Sequence, residues 1–138
     1  MERLVSEGVQ MTRDDSFRLF VLEQLQGLRG VECRAMFGGY GMYHDGVFFG
    51  ILYRERLYFK TDEATRPAFR AAGMKPFRPN ANQTLTSYYE VPVDILEDRQ
   101  RCVEWAREAM RIGSRRDDGV RGSRRRRRWV RNIESSSR

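Results

Sequence analysis

From Phe17 onward, apolar residues recur at helical spacing. Phe17, Phe20, Val21, Leu25 and Leu28 fall at the i, i+3, i+4 positions of one face, which predicts a helix over about 15–26. Asp14 or Asp15 is placed to cap its free amides, and Gly27 or Gly30 to end it. The pattern then shortens to strand-like runs. Val31 to Phe37 reads as a strand. Gly38-Gly39-Tyr40-Gly41 reads as a glycine-rich connection or bulge, and Gly41 to His44 as a resumed strand. Asp45-Gly46 is a hairpin-turn signal, because both residues tolerate positive φ. Val47 to Tyr53 is the return strand, Arg54-Glu55-Arg56 a polar turn and Leu57 to Thr61 a further strand. Tight loops between successive strands make them antiparallel neighbours.

A short helix is expected over 64–72, with Pro67 in its first turn and Gly73 as its left-handed stop. Pro76 and Pro79 allow only a short edge strand near Pro76-Phe77. Thr84 to Val91 is β-like. A last helix is expected from Asp94 as cap, with Glu97 three residues on. Its buried stripe is Ile95, Leu96, Cys102, Val103, Ala106, Ala109 and Met110. Consecutive antiparallel strands bounded by helices imply an α+β, two-layer fold with an antiparallel sheet flanked by helices.

Length and charge sharpen the division of the chain. The 138 residues suffice for one core. The net charge of +7 is not spread evenly. Residues 1–111 balance acid against base, whereas 112–138 hold ten arginines against Asp117, Asp118 and Glu134. The expected organisation is therefore a folded domain over 14–111 and an Arg-rich tail over 112–138, disordered because like charges repel. Arg124, Arg125, Arg126, Arg127, Arg128, Trp129 and Arg131 are the tail's candidate nucleic-acid contacts. An extended polycation gains affinity for DNA or RNA phosphates by releasing counterions, and a tryptophan can stack on a base. The bland alternative is a solvated extension without function. Arginine outnumbers lysine 24 to 2, which reads as composition drift, since the excess also runs through the neutral part.

The longest apolar run, Val47 to Tyr53, is far short of the ~18 residues that span a bilayer. No leader pattern precedes the first helix. A cytoplasmic location without membrane attachment is the expectation. Cys33 and Cys102 are far apart, form no CxxC pair and, with His44 as the sole histidine, cannot make a zinc site. Two buried free thiols are expected, with no metal and no cofactor.

No catalytic residue is nominated. His44 adjoins the Asp45-Gly46 turn, where an exposed histidine is ordinary. Asp94 and Glu97 are explained by capping, and Asp62-Glu63 by their place before a helix. The glycine-rich segment lacks the spacing of a phosphate loop, and close backbone approach explains it better. The strand aromatics Tyr40, Tyr43, Phe48, Phe49, Tyr53, Tyr58 and Phe59 are interleaved with charges of both signs, which favours core and interface roles over base stacking.

Four stretches carry a resemblance. They are Arg34-Ala35-Met36-Phe37-Gly38-Gly39-Tyr40-Gly41, then Asp45-Gly46-Val47-Phe48-Phe49-Gly50, Leu57-Tyr58-Phe59-Lys60-Thr61-Asp62, and Ser87-Tyr88-Tyr89-Glu90-Val91-Pro92. In these the chain resembles the N-terminal domain of the TfoX/Sxy family, regulators of natural competence found in bacteria. The resemblance implies an arrangement similar to the α-β(3)-α-β(2)-α secretion chaperones. It implies a non-enzymatic part in switching on DNA-uptake genes, with a transcription activator as protein partner. The motif residues Arg34, Met36, Phe37, Gly38, Gly39, Gly41, Asp45, Gly46, Tyr58, Lys60, Ser87, Tyr88, Tyr89 and Pro92 are then structural or interaction residues. Longer members add a helical DNA-binding-like domain, for which the Arg-rich tail is no equivalent. Two further readings stand beside this one. One is a small-ligand or peptide pocket lined by Gly38–Gly41 and Lys60. The other is a homodimer that covers a sheet face or edge.

Overall fold

The computed structural model describes residues 12–36 and 38–115. The tail residues Arg124 to Trp129 and Arg131, and Phe37 of the glycine-rich motif, lie outside the described residues. Helix α1 spans Arg13–Gln24, and Thr12 caps it rather than either aspartate. The Thr12 hydroxyl accepts from the Asp15 amide at 3.0 Å, and the Asp15 carboxylate accepts from the Thr12 amide at 3.4 Å. Asp15 is thus the third residue of a capping box. The helix starts earlier than the apolar spacing suggested because its first turn is polar. Val21 and Leu25 are buried with Phe17 and Leu28 against them, but Phe20 faces outward.

Four strands follow: β1 (Val31–Met36), β2 (Gly39–His44), β3 (Val47–Tyr53) and β4 (Arg56–Lys60). Their turns are tight. Asp45 and Gly46 have φ of 52° and 80°, and Arg54 and Glu55 have 50° and 62°, the left-handed pair that suits the twist of a two-residue hairpin. Only Gly38 of the glycine-rich segment belongs to the connection, at φ 75°, and Gly39 already pairs with Met36. The bulge lies farther on, where Tyr43 pairs with Phe48 and Met42 with Gly50, leaving Phe49 as the extra residue.

Helix α2 (Arg66–Ala71) is stopped by Gly73 at φ 80°. Strands β5 (Pro76–Asn80) and β6 (Gln83–Glu90) complete one antiparallel sheet in the order β1-β2-β3-β4-β6-β5. The expected single last helix is two. Pro92 leads a one-turn α3 (Val93–Leu96), and Asp98 begins α4 (Arg99–Gly113). The Asp98 carboxylate accepts from the Arg101 amide at 3.1 Å. That side-chain bond offers the backbone a fresh helix start and breaks the run. Asp94 sits inside α3, not at its cap, and α4 runs past the expected domain end at 111.

Among the described residues, each of the four helices buries residues in one cluster with one face of the sheet. It joins Val21, Leu25, Phe69, Ile95 and Cys102 to Met42, Phe49, Leu52, Leu57, Phe59 and Tyr89. In α4 the buried line is Cys102, Ala106, Ala109 and Ile112, and Val103 and Met110 are only half-buried. A second cluster, Phe48, Ile51, Tyr58, Phe77 and Tyr88, comes wholly from strands and occupies the opposite face. The two cysteines are free, as expected, but Cys33 is only partly buried because its strand is at the sheet edge.

Candidate functional site

The strand-only face gathers half of the motif residues. Strand alternation puts Arg34 and Met36 of β1, Gly39, Gly41 and Tyr43 of β2, Tyr58 and Lys60 of β4, and Tyr88 of β6 on it. The rings interlock. Tyr43 stacks on Phe48 with centroids 5.2 Å apart, and Phe48 meets Tyr88 at 5.5 Å. Phe77 sets its edge against Tyr58 at 4.8 Å and Tyr53 at 5.3 Å. Cations sit on the rim of this patch. The Arg34 guanidinium lies 4.4 Å from the Tyr43 ring and 3.4 Å from the Glu32 carboxylate. The Lys60 ammonium is 5.3 Å from the Tyr88 ring. Arg56 bonds both oxygens of Glu90 at 3.0 Å.

The glycines are explained by what lies over them. A Cβ on Gly39 would clash with the Leu52 carbonyl oxygen. One on Gly41 would meet Phe48 Cε1 and Tyr43 Cε1 at 3.1 Å and Met36 Sδ at 3.3 Å. Gly38 has φ +75°, and the Tyr53 ring covers it. The segment is therefore packed by backbone and rings, and it leaves no room for a ligand between Gly41 and the aromatic patch. A wide, shallow groove of about 380 Å³ lies elsewhere, between α1 and Glu55 of the β3–β4 turn, with Thr12, Phe17 and Phe20 along it.

Other motif residues are placed apart from the aromatic patch. Tyr89, next to Tyr88, points to the helix side, where its hydroxyl accepts from Arg70 Nε at 3.3 Å. Ser87 works through its carbonyl, which accepts from the Thr61 amide at 2.7 Å and the Thr61 hydroxyl at 3.0 Å. Asp45 and Gly46 form the β2–β3 turn, and Pro92 starts α3. His44 Nδ1 lies 3.8 Å from the Asp45 carboxylate at that turn. Burial, aided by the nearby Glu90 carboxylate, pushes the Tyr58 hydroxyl up, so it stays protonated at neutral pH. Among the described residues, no three His, Cys, Asp or Glu side chains come together as metal ligands would.

Two polar centres escaped the reading of the sequence. Gln24 is buried. It donates to the Leu96 carbonyl at 2.9 Å and accepts from Arg99 Nε at 3.5 Å, tying α1 to the α3–α4 junction. Nothing in the sequence near Gln24 announces a partner so distant. Asp62 accepts from the Thr65 amide at 2.9 Å, the Thr65 hydroxyl at 3.1 Å and Arg115 at 2.8 Å. The local half of this, an Asp followed three residues later by Thr, is legible as a turn signal. Burial raises the Asp62 carboxyl, but the Thr65 bonds and Arg115 outweigh it and leave the group below its ordinary value.

Comparison with known protein families gives a match. The sequence model of the TfoX N-terminal domain matches residues 23–112, from the last turn of α1 almost to the end of α4. No curated protein matches the chain.

Proposed function

Because the chain belongs to the TfoX N-terminal domain family, we propose that it is a cytoplasmic regulatory domain that acts by binding a protein partner, without catalysis. The observation that carries this reading is the extent of the match, which takes in every strand of the sheet and not a single motif. The family resemblance supplies the biological direction: control of DNA-uptake genes together with a transcription activator. The strand-only face is consistent with it, since its glycines and rings build a rigid patch with cations at the margin. Among the described residues no helix is long and apolar enough to cross a membrane. The tail residues Arg124 to Arg128, with Trp129 and Arg131, serve in this proposal as an electrostatic attachment to DNA or RNA.

The test uses the full chain and a full-length variant with Arg124 to Arg128 changed to Gln. Transcripts of DNA-uptake genes are compared in cells lacking the protein and in cells given either form. Loss of these transcripts in the deletion, restored by the full chain, is the expected result. Unchanged transcripts in the deletion would overturn the regulatory reading. Duplex DNA binding across a salt series tests the tail. Neutralising about five phosphates gives a log–log slope near −4.5, and the Gln variant is expected to lose it. An equal slope for both forms would remove the tail from the proposal.

A further inference from the structure

The sheet has two edges, and they are built differently. Edge strand β5 carries Pro76 and Pro79, which have no amide to offer an incoming strand. Edge strand β1 has neither proline nor lysine, and Glu32, Arg34 and Ala35 along it are exposed. The β1–β2 register fixes which backbone groups of β1 are free. His44 and Val47 flank the two-residue Asp45-Gly46 turn, so the backbone groups of His44 face β3 and its β1 partner Val31 sits at a non-bonded position; alternation then assigns Glu32, Arg34 and Met36 to bonding with β2. The amides and carbonyls of Val31, Cys33 and Ala35 therefore point outward.

The charges on this edge are self-complementary. Glu32 and Arg34 are two residues apart, lie on the same face and flank Cys33. Antiparallel pairing of two such strands about Cys33 sets Glu32 opposite Arg34 of the second copy, and Arg34 opposite its Glu32. It also sets Val31 opposite Ala35. In this register the outward groups of Val31, Cys33 and Ala35 meet their counterparts, giving about six backbone bonds between chains. The Glu–Arg pairs then fall at the non-hydrogen-bonded positions, where opposite side chains are closest.

We propose that β1 is the contact through which two copies of this chain pair, forming a continuous sheet across a two-fold axis at Cys33. A two-fold contact requires a surface complementary to itself, and the Glu32–Arg34 pair supplies that on an edge strand that carries neither proline nor lysine. The occupant is a second copy because the charge order reads correctly against itself in the one register that also pairs the free backbone groups. The inference is independent of the regulatory reading.

The experiment is sedimentation of the full chain over a concentration series, alongside E32R, R34E, the double variant E32R/R34E, and A35P. The parent chain is expected to be a dimer. Either single reversal sets like charges opposite each other and is expected to weaken the dissociation constant at least about tenfold. The double reversal restores the opposite pairs and is expected to restore the dimer. Ala35→Pro removes an outward amide and leaves the bonds to β2, so it is expected to give a monomer with an unchanged circular dichroism spectrum. A parent chain that stays monomeric leaves the edge to some other strand and overturns the proposal. So does a dimer that survives the single reversals or A35P, or one the double variant fails to regain. If A35P misfolds, the three charge variants decide the matter.

Discussion

The ring of Phe77 meets the ring of Tyr53 edge-on, with centroids 5.3 Å apart and planes at 79°. Their strands, β5 and β3, are separated in the sheet by β6 and β4. In a flat sheet three strand spacings would hold them about 14 Å apart. The β5–β6 pairing shows how the distance closes. Pro76 pairs with Tyr89, but the next residue, Phe77, pairs with Leu85. The residues of β6 between those two partners form a bend that brings Phe77 over the strand-only face. Removing the ring is therefore expected to uncover that face. Phe77→Ala should lose about 3–5 kcal/mol in urea unfolding, and fluorescence should report exposed tyrosines. A loss below ~1 kcal/mol would mean the hairpin does not hold the face closed.

Gly39 and Gly41 differ in what stands above them. At Gly39 the obstacle is the Leu52 backbone carbonyl, which cannot move without disturbing β3. At Gly41 it is two ring edges and a thioether, which can shift by a few tenths of an ångström. Gly39→Ala is expected to cost at least the ~3 kcal/mol upper range of overpacking, and Gly41→Ala about 1–3 kcal/mol. Denaturation midpoints of the two variants give the order directly, and the reverse order would contradict the packing described.

Asp62 joins the end of β4 to the end of α4 through Arg115. Its carboxyl titrates below the ordinary 3.8. A group depressed on folding contributes stability that is fully present above the unfolded value. That contribution is lost as pH falls through the folded value. Asp62→Ala is expected to cost about 1.5–3 kcal/mol at neutral pH, the range for hydrogen bonds to a charged group. Below pH ~4 the difference between variant and parent should shrink. Thermal unfolding across pH 2–7 measures both, and a gap that stays constant into acid would place the effect elsewhere.

Cys102 lies fully buried in α4, and burial, with Asp98 adding to it, pushes its thiol up to about 11. At pH 8 only about one part in a thousand is thiolate. Cys33, partly exposed on the edge strand, is raised by burial, with Arg18 opposing the shift. One thiol is expected to react slowly with an aromatic disulfide in the native protein, and the second only in denaturant. Two thiols reacting at equal rates under native conditions would contradict the placement of Cys102.

What the sequence by itself determined is local. The Asp45-Gly46 and Arg54-Glu55 turns, the stop at Gly73, the edge position of β5 and the helix phase of Cys102, Ala106 and Ala109 follow from neighbours a few residues apart. Short-range sterics and periodicity decide such features, and both are written in consecutive residues. The capping of α1 by Thr12, and the restart at Asp98, were present in the same local chemistry but competed with equally good aspartates nearby. Only the tertiary structure decided that Tyr88 and Tyr89 serve opposite faces of a bent sheet. It alone decided that Gly41 lies under Tyr43 and Phe48, that Gln24 holds the Leu96 carbonyl, and that Asp62 receives Arg115. Each of these joins groups whose separation in the chain carries no signal. Their partners are set by sheet curvature and by the bulge at Phe49, which depend on how all six strands pack at once.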